Sequence, residues 1–297
     1  MNANHTIGPH LTWSVLTAKR LGLTRDLPHA PPGLMWVANS ATLISGRHDA
    51  VLVDTFLTRD QSQGLIDWVT RSGKNLVAVF ITHGHGDHFF GLAPVLERFP
   101  QAKALATPAV VREMQSQLAS QSIDNFWRKL FPGQIPDKLR TAEPLEGNTF
   151  ELEGEPLFAV DAGYTDTKAS SCLHVPSMDL IVAGDVVYNG IHPFLAETTA
   201  QSRLEWIAAL DKLEALKPRS VVAGHKVPEN DDDPGDIART RQYLLDFERL
   251  NQQTTTAIEL YEAMLEWYPD RANPGSLWGS SVAAKKSQPQ NAATCPG

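Results

Sequence analysis

The feature that most constrains this chain is a group of metal-ligating side chains directly after an apolar stretch. Residues 75–82 read Asn-Leu-Val-Ala-Val-Phe-Ile-Thr, a pattern typical of a buried strand. His83, His85, Asp87 and His88 follow at once, with glycines between the first three, and glycine lets the backbone turn tightly enough for side chains to converge. Imidazole and carboxylate ligands together favour Zn²⁺, Fe or Mn²⁺ over Ca²⁺ or Mg²⁺. The sequence therefore predicts a transition-metal site at the end of a buried strand.

Three further polar residues stand at the ends of predicted strands. Residues 36–54 indicate two strands joined by a turn, a hairpin that ends at Asp54. Asp185 and His225 each follow an apolar stretch of strand type and a single glycine. Each of these positions is a weak signal alone, but together they supply further oxygen and nitrogen ligands at strand ends.

The pattern His83-x-His85-x-Asp87-His88 resembles the signature of the metallo-β-lactamase superfamily. The resemblance covers roughly residues 30–270, because the other markers of the family follow in the expected order. It implies an α/β (α+β) fold, the four-layer αβ/βα sandwich of two mixed β-sheets flanked by helices. The metals of such a fold would lie at the edge of the sheets.

The resemblance also implies how the ligands divide between two metal ions. His83 and His85 would hold the first metal. The second metal would be held by Asp87, His88, Asp185 and His225, with Asp185 bridging the two ions. Asp54 matches the acidic residue that orients the histidine loop by accepting a hydrogen bond from a loop amide or a ligand imidazole. The alternative for Asp54 is an ordinary turn aspartate.

The chain departs from the family pattern at Tyr164. The family usually places a third histidine for the first metal in a Gly-His-Thr turn, whereas this chain reads Gly163-Tyr164-Thr165-Asp166. Three alternatives follow. The Tyr164 phenolate replaces the imidazole, since a nearby dication lowers the pKa of a phenol; or Tyr164 is a neutral residue of the pocket wall beside a weak first site; or the protein is not catalytic.

Two other residues are candidates for a catalytic role beside Tyr164. Asp87 could both ligate a metal and accept or return a proton. His192 follows the expected bridging aspartate closely enough to contact substrate or carry a proton, although a solvent-exposed loop histidine is an equal alternative.

The chemistry implied by the resemblance is hydrolysis by a metal-bound hydroxide. We expect a small ester, lactone or thioester as substrate, because lactonases and glyoxalase II share the full aspartate pattern. A dedicated β-lactamase is less favoured, since the zinc lactamases generally lack the bridging aspartate. Two alternatives stay open: an iron-dependent redox enzyme of the persulfide dioxygenase kind, and a catalytically weakened ligand-binding protein. The expected cofactor is one or two Zn²⁺ ions, with Fe or Mn as alternatives.

Composition narrows the expected partners to small molecules. The formal net charge of -8 disfavours nucleic acid, which usually needs a basic face. No apolar run approaches the roughly 20 residues of a membrane span, and the polar start lacks the apolar core of a secretory signal, so we expect a cytoplasmic protein without a membrane partner. Cys172 and Cys295 are expected to be free thiols. The oligomeric state is not predicted.

The pattern along the chain predicts one domain over residues 1–282. Residues 121–144 interrupt the alternation of strand and helix and are interpreted as an insertion near the pocket mouth, or as a surface loop pinned by its aromatic residues. Two closing helices are expected within residues 236–267, and a disordered tail over residues 283–297.

One helix is predicted in detail. The run Ser202-Arg-Leu-Glu205 has the form of a capping box at a helix start. Apolar residues at helical spacing are expected to face the core: Leu204, Ile207, Ala208, Leu210, Leu213 and Leu216.

Overall fold

The computed structural model describes residues 11–24, 26–119, 121 and 123–286. Within these residues eleven strands form one curled sheet, in the order β6-β5-β4-β3-β2-β11-β10-β9-β8-β7 with β1 paired to β2. The strands are β1 (Thr12–Leu21), β2 (Trp36–Ser45), β3 (Asp49–Val53), β4 (Asn75–Phe80), β5 (Lys103–Ala106), β6 (Glu143–Pro144), β7 (Thr149–Leu152), β8 (Glu155–Gly163), β9 (Ser170–Val175), β10 (Leu180–Asn189) and β11 (Ser220–Lys226).

Helices cover both outer faces of this sheet. They are α1 (Arg59–Arg71), α2 (Gly86–Phe89), α3 (Leu92–Arg98), α4 (Pro108–Ala119), α5 (Arg128–Leu130), α6 (Ala200–Ala215), α7 (Asp236–Gln253), α8 (Ala257–Trp267) and α9 (Pro274–Lys286). Short 3-10 turns lie at Pro32–Leu34 and Pro176–Met178, and a π-helical turn at Ile123–Trp127.

The sheet consists of two halves that fold over each other. The first half contains β1 to β6 and the second half contains β7 to β11. They are joined through β2 and β11, whose ladder has a single register pair, His225 with Asn39. Apolar residues of both halves pack together between them, so the layers are helix, sheet, sheet and helix. The predicted four-layer α/β fold is confirmed, with its two sheets continuous at this one seam.

Strand β3 shows why this layering follows from the sequence. Successive side chains of a strand point to opposite faces. Leu52 faces the helices of the first half, whereas Val51 and Val53 face the second half, and all three are fully or almost fully buried. A strand covered on both faces needs an unbroken apolar run, which is what residues 50–53 provide.

Helix α6 begins earlier than the sequence predicted and presents a different face to the core. Its N-cap is Thr199, which forms a capping box with Ser202, whereas Ser202 itself had been expected as the cap. Trp206 is wholly buried, and its indole Nε1 donates to the Val186 carbonyl at 2.9 Å. The expectation that Leu204, Ala208 and Leu216 face the core is wrong, because all three are exposed. The bulky Trp206 determines which face of the helix turns inward.

The segment 121–144 packs by its aromatic residues. Trp127 stacks on Phe131 with ring centroids 6.2 Å apart and meets Phe90 edge-on at 5.7 Å. Phe90 directly follows α2, the short helix that carries part of the histidine motif. The segment is therefore anchored beside that motif.

The last described helix was not predicted. Residues 283–286, which we expect from the sequence to belong to a disordered tail, form the end of α9, whose Leu277 is buried. The rest of that expectation, residues 287–297 with Cys295, lies outside the described residues. In the described part of the chain, no helix combines the length and the apolar character needed to span a membrane.

Replacing Trp206 by alanine should lower the free energy of unfolding by about 3–5 kcal/mol, because it removes a fully buried ring and leaves a cavity. Leu204→Ala, two residues away on the exposed face of α6, is the matched control and should change stability by no more than about 0.5 kcal/mol. Urea unfolding followed by circular dichroism measures both values. Equal losses in the two variants would contradict this assignment of the core face.

Candidate metal centre

The candidate site lies at the seam between the two halves of the sheet. His83 follows the end of β4 and forms an isolated bridge with Ser170 of the second half. Beside it, the backbone amide of Ser171 donates to the Thr82 carbonyl at 2.8 Å. His225 is itself the β11 residue that pairs with β2. Main-chain contacts between the halves therefore hold the strand ends that carry the histidines.

One group of side chains at the seam could hold a first metal ion: His83, His85, Asp166 and Asp185. One ligand atom from each lies within 4.8 Å of the others. Asp166 Oδ2 is 2.9 Å from His85 Nδ1 and 3.7 Å from His83 Nε2. Asp185 Oδ2 is 3.9 Å from His83 Nε2. The group combines two imidazoles with two carboxylates.

A second group contains Asp87, His88 and His225. Asp87 Oδ2 lies 3.7 Å from His225 Nε2. Asp185 also reaches this group, with Oδ1 3.2 Å from His88 Nε2 and Oδ2 3.1 Å from His225 Nε2. Asp185 thus lies between the two groups, where a bridging carboxylate would stand. Apart from Tyr164, every ligand predicted from the sequence lies in one of the two groups. Asp166 is the one member that was not predicted.

Unpartnered buried atoms show that these residues fit a metal. His83 Nε2 and Asp185 Oδ1 are buried and form no hydrogen bond, although both residues belong to the ligand groups. Buried polar atoms without a partner are costly, so such atoms in one cluster point to a cation that they share. Nitrogen and oxygen donors of this kind suit a transition metal.

Asp54 fixes the orientation of two of the imidazoles. Its carboxylate accepts hydrogen bonds from the Thr82 amide at 2.8 Å and the Thr82 hydroxyl at 2.7 Å, and it contacts His88 Nδ1 at 3.0 Å. The Thr82 hydroxyl in turn lies 3.0 Å from His83 Nδ1. The outer ring nitrogens of His83 and His88 are thereby engaged, which leaves their Nε2 atoms free to face the site. These are the contacts that the sequence led us to expect of Asp54.

Two residues of the first half hold Asp87. The Asn39 amide donates to Asp87 Oδ2 at 2.9 Å, and the Arg20 guanidinium Nη2 lies 3.6 Å from the same oxygen. The Arg20 side chain is mostly buried and lies over the Phe131 ring at 5.4 Å. The Arg20 guanidinium therefore places a fixed positive charge beside the Asp87 carboxylate.

Neighbouring charges shift the pKa values of His88 and Asp87 in opposite directions. Burial works against a charge on His88, but the carboxylates of Asp185 and Asp54 outweigh it and raise the pKa of His88 to about 10. Burial likewise opposes ionisation of Asp87, yet His88, His225 and Arg20 hold the pKa of that carboxyl well below its usual value. Carboxylates that draw protons onto imidazoles in this way offer the same negative charge to a metal, whose binding displaces those protons.

Tyr164 is engaged by a backbone carbonyl in the structure, and the phenolate hypothesis stays a prediction. Its hydroxyl donates to the Glu197 carbonyl at 2.8 Å. Burial and the carboxylates of Glu197 and Glu113 raise the pKa of Tyr164, so the neutral phenol is favoured. The carboxylate that joins His83 and His85 comes from Asp166, two residues further along the same turn.

The structure also places His192 away from the ligand groups. The ring is fully buried, and its Nδ1 lies 2.9 Å from the Tyr243 hydroxyl of α7. Burial and the nearby Arg271 hold the pKa of His192 well below its usual value. A neutral imidazole packed against α7 does not suit the expected proton carrier or substrate contact.

The glycines of the motif serve packing rather than an unusual backbone. Gly84 and Gly86 both have ordinary negative φ angles. A Cβ at Gly86 would collide with the Phe90 ring, and a Cβ at Gly84 with Glu113 of α4. Gly184 does need its freedom, because it has a φ of 53° immediately before Asp185.

Sequence reasoning missed several polar residues of this site, among them Asp166, Asn39 and Arg20. Asp166 had a signal, since it is a carboxylate within the turn where the third ligand was expected. Asn39 and Arg20 had none, because they lie on β2 and β1 and reach Asp87 only through the pairing of those strands with the rest of the sheet.

Comparison with known proteins gives a consistent result. A family model described as the metallo-beta-lactamase superfamily matches residues 34–225. The metallo-beta-lactamase type 2 of Bacteroides fragilis is 26% identical over 192 residues, which span 64% of this chain and 69% of that protein. A metallo-beta-lactamase family protein of Thermus thermophilus superposes with a TM-score of 0.62 at 20% identity, covering 92% of this chain and 91% of that one. A metallo-beta-lactamase from Pontibacter korlensis superposes with a TM-score of 0.58 at 16% identity, covering 80% of this chain and 99% of that one. The structural matches show a shared fold.

Tyr164→Phe should leave the metal content unchanged, because the hydroxyl that it removes binds the Glu197 carbonyl and not the ligand groups. Elemental analysis of protein purified without chelator gives the number of bound ions per chain. His85→Gln, which removes a ligand, is the comparison variant and should lose metal. A loss of about one equivalent in Tyr164→Phe with an unchanged circular dichroism spectrum would restore the phenolate as a ligand.

Proposed function

The chain belongs to the metallo-beta-lactamase superfamily, and on that ground we propose that it is a metal-dependent hydrolase of a small ester, lactone or thioester, with zinc as its resident metal. The observation that carries the proposal is the cluster of seven imidazoles and carboxylates at the sheet seam, with Asp185 between its two groups. The family and the ligand types both agree with a metallo-hydrolase.

A divalent metal supplies two things to hydrolysis: it lowers the pKa of a water molecule and polarises the oxygen of the bond under attack. The residues that would hold it are His83, His85, Asp166, Asp185, Asp87, His88 and His225. Most of these residues are buried or nearly so, and His85 is the most accessible of them. Substrate would therefore approach on the His85 side.

The residues of the chain have separable tasks in this proposal. Asp87 is kept ionised by the neighbouring histidines and Arg20, so at neutral pH its carboxylate can bind a metal and accept a hydrogen bond. Asn39 holds the Asp87 oxygen in place. Tyr188 donates its hydroxyl to Asp185 Oδ2 at 2.8 Å, which orients the carboxylate between the two groups. Phe194 offers an apolar wall, with its ring 5.7 Å from that of His85.

The mouth of the site favours a substrate without strong negative charge. Glu197 lies 3.5 Å from His85 Nε2 and is half exposed. Glu113 and Glu205 are close enough to act, with Glu197, on the pKa of Tyr164. Negative charge near His85 and Tyr164 disfavours a polyanion, which agrees with the net charge of -8 and supports a small neutral ester or lactone over nucleic acid.

An iron-dependent redox enzyme is a second candidate, favoured by one specific observation. His83 and His85 with Asp166 form a set of two imidazoles and one carboxylate, the ligand types of mononuclear Fe(II) oxygenases. Oxygen uptake with a persulfide substrate, in protein loaded with Fe(II), distinguishes this candidate from a hydrolase. A β-lactam belongs in the hydrolase panel as well, because the Bacteroides fragilis relative carries lactamase in its name.

Asp87→Asn and His225→Ala should each lower hydrolysis by at least about 100-fold on whichever ester, lactone or thioester is turned over, since each change weakens the second ligand group. Initial rates and metal content should be measured on the same preparations. His48→Ala, an exposed histidine of the β2–β3 turn, is the control and should retain full activity. If both ligand variants hydrolyse the substrate as fast as the unmodified protein, the site assignment is wrong.

A further inference from the structure

The two ligand groups are unequal. We propose that the group of His83, His85, Asp166 and Asp185, here named the first half-site, binds the first metal ion, and that Asp166 shifts its preference towards a harder divalent cation, Mn²⁺ or Fe²⁺. The inference rests on the proposed function in so far as both require a metal at the seam. It goes further by assigning an order of binding and a metal class.

Asp166 is built to act as a ligand through one oxygen. Its residue is fully buried, and its Oδ1 accepts a hydrogen bond from the Thr165 hydroxyl at 2.8 Å. The other oxygen, Oδ2, lies 2.9 Å from His85 Nδ1 and 3.7 Å from His83 Nε2. Thr165 thus holds one oxygen while the second is left facing the ligand nitrogens.

A carboxylate at this point changes the chemistry of the half-site. With Asp166 and Asp185 it contains two oxygen donors and two nitrogen donors, and it carries one more negative charge than a site completed by a third histidine. Oxygen donors suit Mn²⁺ and other hard cations, whereas imidazole suits Zn²⁺. The first half-site is therefore more favourable to hard cations than a three-histidine site would be.

The second half-site, made of Asp87, His88 and His225, is opposed by a fixed charge. The Arg20 guanidinium lies 3.6 Å from Asp87 Oδ2, and the Asn39 amide occupies the same oxygen. A buried cation at this distance repels an incoming dication. It also competes with that dication for Asp87, the one carboxylate that the second half-site does not share with the first. Asp166 has no such competitor among the described residues, since its neighbours within ion-pair distance are the two histidines of its own group.

The measurable quantity is a ratio and not an absolute affinity. Most nitrogen and oxygen sites bind Zn²⁺ more tightly than Mn²⁺, whatever their detailed composition. The proposal therefore concerns the Kd for Mn²⁺ divided by the Kd for Zn²⁺, and how this ratio changes when the Asp166 carboxylate is replaced by an imidazole.

The test is calorimetric titration of chelator-stripped protein with Mn²⁺ and with Zn²⁺, with the electron paramagnetic resonance of free Mn²⁺ as a second readout. The unmodified protein should bind about one equivalent of Mn²⁺ at least about tenfold more tightly than the next. Asp166→His should raise the Mn²⁺/Zn²⁺ ratio of Kd values at least about tenfold. Asp161→Asn, which removes an exposed carboxylate from β8, is the matched control and should leave the ratio unchanged.

A second, independent arm uses Arg20. Arg20→Met keeps an apolar side chain against Phe131 and removes the charge, so it should tighten binding of the second equivalent and leave the first unchanged. This arm keeps the proposal testable even if Asp166→His does not fold, which circular dichroism would reveal.

The outcomes separate this inference from the proposed function. If the unmodified protein binds no metal, both fail. If it binds metal and hydrolyses a substrate, but Asp166→His has the same Mn²⁺/Zn²⁺ ratio as the unmodified protein, the metal preference is overturned alone. If the two equivalents bind with equal affinity and Arg20→Met changes neither, the order of binding is overturned.

Discussion

The Asp54 carboxylate is the interaction on which the rest of the site depends. It stands at the end of β3 with a φ of 61° and binds the Thr82 amide, the Thr82 hydroxyl and His88 Nδ1. These contacts set the start of the histidine loop and direct the Nε2 atoms of His83 and His88 inward. One buried carboxylate outside the ligand groups therefore determines both the path of the loop and the tautomers of its imidazoles. Its own burial is tolerated because every contact that it makes is with a donor.

The histidine motif and the strand ends could be predicted because they are local. An apolar run that must be a strand, followed at once by His83 and His85, leaves little freedom for where those side chains lie. Asp185 and His225 follow the same rule. Arg20 could not be found this way, because β1 has no strong alternation and its position beside Asp87 is created by pairing over a long stretch of chain. The prediction of which α6 residues face the core failed for a related reason. The spacing of apolar residues fits more than one face of the helix, and the packing of Trp206 selects one of them.

The turn between β8 and β9 shows the difference between predicting a position and predicting a side chain. The family pattern located the turn correctly, but it pointed to Tyr164. In the structure Asp166 of the same turn lies in the first group of candidate ligands, while the Tyr164 hydroxyl donates to the Glu197 carbonyl. A sequence motif fixes where a loop comes close to a metal, while the conformation of that loop decides which of its residues faces inward.

The seam between the two halves has a mechanical consequence. The main-chain ladder that joins β2 to β11 has one register pair, while the ligands come from both sides of it: His83, His85, Asp87 and His88 from the first half, and Asp166, Asp185 and His225 from the second. An ion shared by these side chains would act as a cross-link between the two lobes, in addition to their apolar contacts, their hydrogen bonds and a short stretch of backbone. Separation of the lobes and release of the ion would then be one event. A bound ion would therefore oppose separation of the lobes, and packed lobes would oppose release of the ion. Tighter metal binding would then increase the free energy of unfolding directly.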